Sequence, residues 1–164
     1  MEHAKSVPWK TDAYLYMERM KMEAGCIMGA LSLLALVDYK IKKIPVVPLI
    51  LTGILGMILH IIYGGREIED ILFGIAIGIV LYIVSEISKG KIGKGDAFLF
   101  MVTGVYLGFW NNLVLLWAAS VMAGVVGVFV ILSRKKRMDY KMPFVPFVLA
   151  AAFVMLIVGG GKFA

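Results

Sequence analysis

Long uncharged stretches dominate the pattern of hydrophobic and polar positions along this chain of 164 residues. The stretches at 44–63 and 143–161 are close to the roughly 20 residues that a helix needs to cross a bilayer. The shorter ones would span it if the helix continued past a charged residue whose head group lies at the interface. The stretch at 97–133 is about twice as long as one crossing requires. It contains Trp110 followed by the turn-forming amides Asn111 and Asn112, so it predicts a hairpin of two crossings. The pattern predicts six transmembrane helices, at 24–37, 44–63 and 71–87, two within 97–133, and one at 143–161.

The composition agrees with a membrane protein. Hydrophobic residues make up 61% of the chain and charged residues 17%, against roughly 25% charged in soluble domains. The mean hydropathy is +0.90, and so small a chain cannot hide that much apolar surface in a core. We therefore predict an all-α fold, a six-helix transmembrane bundle at 24–164, preceded by an interfacial segment at 1–23.

The charges predict the orientation of the chain. Its net charge is +6, and the basic residues cluster after the first, third and fifth apolar segments. Basic loops face the cytoplasm, so both termini are expected on the outer side of the cell membrane. The positive charge is explained by this orientation, so we do not expect the protein to bind nucleic acid. In the loops after the second and fourth apolar segments, the only basic residue is Arg66. The eleven clustered residues are Lys40, Lys42, Lys43, Lys89, Lys91, Lys94, Arg134, Lys135, Lys136, Arg137 and Lys141.

Two aspartates lie at the ends of apolar runs. Asp38 follows the run 31–37 and Asp96 precedes the run that begins at Ala97, so both are expected at the cytoplasmic boundary, where ionisable groups mark function. Carboxyl groups that share a site hold a single proton between them, so one can activate water while the other hydrogen-bonds a carbonyl. In the structural alternative, Asp96 caps a helix and Asp38 pairs with Lys42.

The residues around these aspartates resemble the signatures of type IV prepilin peptidases. The run 38–45 reads DYKIKKIP, similar to the family's aspartate, basic stretch and Ile-Pro-Asn, with Val46 in place of the asparagine. The run 93–96 reads GKGD, similar to the family's Gly-x-Gly-Asp. The run 143–147 reads PFVPF, where the family has Pro-Phe-Gly-Pro-Phe.

This resemblance implies a membrane aspartic endopeptidase with Asp38 and Asp96 as its catalytic pair, and with neither metal nor cofactor. Gly93 and Gly95 would permit unusual backbone angles and close approach of the substrate, and Pro45 would fix the start of the second helix. The implied substrates are type IV prepilin-like precursors (pilins, pseudopilins or archaellins), cut after a small residue at the end of a short basic leader on the cytoplasmic face.

Longer members of that family carry an insert with paired Cys-x-x-Cys motifs and also methylate the new N-terminus. This chain has one cysteine, Cys26, so N-methyltransferase activity is not expected. Glu86 is expected either to pair with Lys89 or to contact the basic leader, and His60 to be a polar packing residue. The alternative function is that of a non-catalytic small membrane transporter or pilus-assembly partner.

Overall fold

The computed structural model describes residues 8–41, 46–63, 67–88, 93–134 and 143–159. These residues form the helices α1 (Pro8–Ile41), α2 (Val46–Tyr63), α3 (Ile68–Ile87), α4 (Lys94–Arg134) and α5 (Val145–Val158). No strand occurs in these ranges, so the all-α prediction is confirmed there. Central in the bundle is α4, which packs against each of the other four helices.

The first helix is longer than its apolar segment. It runs without a break from Pro8 to Ile41 and so includes much of the predicted interfacial segment, with no turn before residue 24. Proline is well tolerated at the first helical position, because its missing N–H would be unbonded there anyway. The helix also continues past Asp38, to Ile41.

Helix α4 is broken at Gly108, which has φ 70° and ψ −169°. Beyond the break, Asn112 Nδ2 donates to the Phe100 carbonyl at 2.9 Å, and its Oδ1 accepts from Thr103 Oγ1 at 2.7 Å. In a straight helix, residues 100 and 112 would lie about 18 Å apart, so the two arms, 94–107 and 109–134, fold back on each other. The predicted reversal of direction is present, but it lies at Gly108 rather than at residues 110–112, and the two membrane crossings stay a prediction.

Side chains bond the backbone groups that the break leaves without helical partners. Asp70 Oδ1 accepts the Phe109 N–H at 2.9 Å. His60 Nε2 bonds the Val105 carbonyl at 2.6 Å, and Asn111 Nδ2 donates to the Leu107 carbonyl at 3.4 Å. Such bonds matter in apolar surroundings, where an unsatisfied backbone group costs several kcal/mol.

Glycines let α3 and the first arm of α4 come into backbone contact. A Cβ added to Gly104 would lie 2.3 Å from the carbonyl of Gly74, and one added to Gly78 would lie 2.4 Å from the Met101 nitrogen. Close approach through small residues is a typical way for helices to associate in a membrane. These glycines join α3 and α4 into one tight hairpin that carries Asp96 at its end.

Three candidate membrane spans occur among the described residues, Met20–Ile41, Ile68–Ile87 and Lys94–Ser133, and α2 and α5 are shorter apolar helices. Many large apolar side chains lie on the surface, including Leu33, Ile61 and Leu132. A soluble protein rarely exposes so much apolar surface. The chain is therefore a multi-pass membrane protein.

Candidate active site

Asp38 and Asp96 come together at one end of the bundle. Asp38 lies in the last turn of α1 and is 5% exposed, while Asp96 is the third residue of α4 and is partly buried. Their carboxyl groups are close enough to interact electrostatically. The sequence interpretation required this convergence, because the two residues are far apart along the chain.

The N-terminus of α5 holds the carboxyl group of Asp38. Asp38 Oδ2 accepts the N–H of Val145 at 3.1 Å. The N–H groups of Phe147 and Val148 both bond the Phe144 carbonyl, and Pro146 has no N–H to offer. Val145 therefore supplies the one first-turn donor left over, and a carboxylate is the favoured acceptor at the positive end of a helix.

This contact gives the third motif, 143–147, a physical role that sequence reasoning missed. The bond comes from the backbone of Val145, so valine in place of the family's glycine does not remove it. The sequence signal was the proline at the second helical position, which leaves a single donor unpaired. The start of α5 also packs on α4, with the Phe144 and Phe100 rings 6.3 Å apart, which brings Asp38 and Asp96 toward each other.

Gly93 lies directly against the carboxyl group of Asp96. Its carbonyl accepts the Asp96 N–H at 3.0 Å, which begins α4, and a Cβ added to it would lie 2.7 Å from Asp96 Oδ2. Gly95 is helical, and the positive φ among the described residues occurs at Gly108. A positive φ is therefore not what requires glycine at these two positions, and Gly93 leaves room for the aspartate. Close approach of the substrate there stays a prediction.

Glu86 pairs with Lys94 across the connection between α3 and α4. The Glu86 Oε1 to Lys94 Nζ distance is 2.5 Å, and the two side chains are 50% and 54% exposed. Lys94 Nζ also lies 5.9 Å from the ring centroid of Tyr82. Lys89, the partner expected for Glu86, lies outside the described residues, as do Lys42 and Pro45.

A second buried ionisable pair joins α1 and α2 away from the aspartates. Glu23 Oε1 lies 3.6 Å from His60 Nδ1, and each side chain is 8% exposed. Glu23 precedes Asp38 by fifteen residues, or about 22 Å of helix. Glu23 is the last residue of the segment 1–23 that the sequence predicts to be interfacial, and the apolar run at 24–37 that follows it was the signal that it could be buried.

Comparison with known proteins points to one family. A model of the type IV leader peptidase family matches residues 26–128, which include Asp38, Glu86 and the run 93–96. No curated protein and no solved structure gives a significant match. The matched range covers more than half of the chain and contains both aspartates.

Proposed function

Because this chain belongs to the type IV leader peptidase family, we propose that it is a membrane aspartic endopeptidase that removes the short basic leader of type IV prepilin-like precursors. Asp38 and Asp96 are its catalytic pair. The observation that carries this proposal is that Asp38, bonded by the start of α5, and Asp96, at the start of α4, lie at the same end of the bundle, where α5 packs on α4.

Two carboxyl groups that share a site can divide the work of peptide hydrolysis. The pair holds one proton, because ionising both groups would place like charges side by side. The ionised member takes a proton from water as the water attacks the scissile carbonyl, and the protonated member hydrogen-bonds the carbonyl oxygen. The proton then passes to the departing amine, which restores the pair without a covalent intermediate.

The proposed topology has six crossings, with the catalytic pair at the cytoplasmic face and both termini outside. It is supported by the reversal at Gly108, which divides α4 into two helical arms. It is also supported by the basic loops, which fall on the same side as Asp38 and Asp96 if every helical segment crosses. The precursor would then meet the site from the cytoplasm with its leader still attached.

The substrate preference follows from the family and is part of the proposal. The scissile bond follows a small residue, and the leader before it is basic. Val46 stands where the family has asparagine, so any hydrogen bond that the asparagine amide makes is absent here or supplied by another group. N-methylation of the product is not part of the activity proposed.

The experiment compares cleavage of a precursor by membranes that contain the wild type, Asp38→Asn or Asp96→Asn. Asparagine keeps the shape of the side chain but cannot exchange the proton, so each variant is expected to lose detectable cleavage. Glu67→Gln, which changes an exposed acid at the far end of α3, is the control and is expected to cleave normally. Turnover by either asparagine variant at the wild-type rate would refute the catalytic pair.

A further inference from the structure

Glu86 and Tyr82 together form a site suited to a cation. The carboxylate of Glu86 bonds an ammonium group, and the face of an aromatic ring attracts the same charge. Lys94 Nζ fills this position, bonded to Glu86 and 5.9 Å from the Tyr82 ring centroid. We call Glu86 and Tyr82 the cation site and Lys94 its internal occupant.

The internal occupant is held only weakly. Both Glu86 and Lys94 are about half exposed, and exposed ion pairs contribute little because water screens them and long side chains lose entropy in pairing. Lys94 also lies between Gly93 and Gly95, which have no side chains to restrict its movement. A second cation arriving from solvent could replace it without leaving Glu86 unpaired.

The cation site has a fixed position relative to Asp96. Tyr82 packs on Phe98, with their ring centroids 5.7 Å apart, and Phe98 lies two residues after Asp96 on α4. Lys94 lies two residues before Asp96. A leader that is bound with its scissile bond at Asp96 would therefore pass close to Glu86.

We propose that the cation site binds a lysine or arginine side chain of the leader, which displaces Lys94. This inference rests on the proposed function and adds a residue that determines specificity. The exchange keeps one positive charge on Glu86, and the released Lys94 is hydrated at the surface. It also resolves a conflict of charge, since the loops proposed to face the cytoplasm are themselves basic and would repel a basic leader.

The test measures kcat and KM with two precursors that differ only in the leader, one with its native basic residues and one with glutamine in their place. The wild type is expected to prefer the basic leader by about two- to fivefold in kcat/KM, the range of a partly exposed ion pair. Glu86→Gln is expected to abolish this preference, while Lys94→Gln lowers KM for the basic leader alone. Glu69→Gln, an exposed acid at the other end of α3, should leave the preference unchanged.

The outcomes separate this inference from the proposed function. If Glu86→Gln keeps the full preference for the basic leader, or Lys94→Gln lowers KM equally for both leaders, the cation site is refuted. Cleavage of the glutamine leader by Asp38→Asn or Asp96→Asn would refute the catalytic pair instead, since that leader does not use the cation site. If Glu86→Gln loses the preference for the basic leader and Glu69→Gln keeps it, the inference is supported.

Discussion

At the scale of single residues, the site depends on the absence of a side chain at Gly93. Substitution of alanine there would place a methyl group 2.7 Å from Asp96 Oδ2, closer than real contacts allow, so the carboxyl group must move away. A displacement of about 1 Å at a reacting group can reduce the rate on the order of a hundredfold. We therefore expect Gly93→Ala to lower kcat by roughly ten- to a hundredfold with little change in thermal stability.

The matched control for this prediction is Gly124→Ala, because a Cβ at Gly124 meets nothing within 4 Å. Cleavage kinetics and thermal unfolding in detergent would be measured for both variants. Equal kcat values for the two would mean that Asp96 tolerates the crowding and that Gly93 has no role in positioning it.

The residues at the site divide into those that the sequence identifies and those that it does not. Asp38 and Asp96 are recognisable because each lies at the end of a long apolar run. The Val145 N–H is not, because it is a backbone group that lies 107 residues from its acceptor. Asp70 was missed for a similar reason, since its partner Phe109 lies 39 residues away and no local pattern joins them.

At the scale of helices, the hairpin of α3 and the first arm of α4 depends on small residues in contact. A Cβ at Gly104 would lie 2.3 Å from the backbone of Gly74, and backbone cannot move aside as a flexible side chain can. Overpacking of this kind costs typically about 1–3 kcal/mol. We expect Gly104→Ala to lower the midpoint of thermal unfolding in detergent clearly, and Gly127→Ala, with open space around it, to leave the midpoint unchanged or raise it.

If the unfolding midpoint of Gly104→Ala equals that of the wild type, α3 and α4 can move apart without loss of thermal stability. Cleavage activity distinguishes this prediction from the one at Gly93. Here activity should be lost together with stability, because Asp96 moves with the whole arm rather than alone.

The sequence predicts helices better than it predicts their ends and turns. The apolar segments mark α2, α3 and α5 closely, since lipid-facing helices must be apolar for most of their length. The turn inside α4 was predicted two to four residues too late, because the amides of Asn111 and Asn112 were read as the turn signal. Eighteen glycines occur in the chain. Among those in the described ranges, the one with a positive φ is Gly108, whose neighbour Phe109 donates its N–H to the Asp70 carboxylate.

At the scale of the whole molecule, lipid takes the place of much of the core. Composition predicts this environment, but it does not predict that α4 lies at the centre or that α1 packs mainly on α5. Those arrangements arise from long-range contacts such as Asp38 with Val145. The hairpin is also short, because the sixteen residues from Asp70 to Glu86 span about 24 Å of helix, somewhat less than a typical hydrocarbon core of about 30 Å.

The proposed orientation can be tested at the two ends of α3. In a chain that carries Cys26→Ser, single cysteines at Glu67→Cys, Ser88→Cys and Trp110→Cys would be exposed in intact cells to a maleimide that cannot cross membranes. We expect labelling at positions 67 and 110 and, at position 88, labelling only after the membrane is permeabilised. Basic residues follow position 88 at Lys89, Lys91 and Lys94, and the positive-inside rule assigns them to the cytoplasm.

Positions 67 and 110 should behave alike, because Asp70 bonds the Phe109 N–H and so holds the start of α3 beside the turn in α4. Labelling of 67 and 88 from the same side would mean that α3 does not cross the membrane. Labelling of 88 alone in intact cells would invert the orientation. In that case Asp96, eight residues further along, would face away from precursors that enter from the cytoplasm, and the proposed activity would require a substrate already exported.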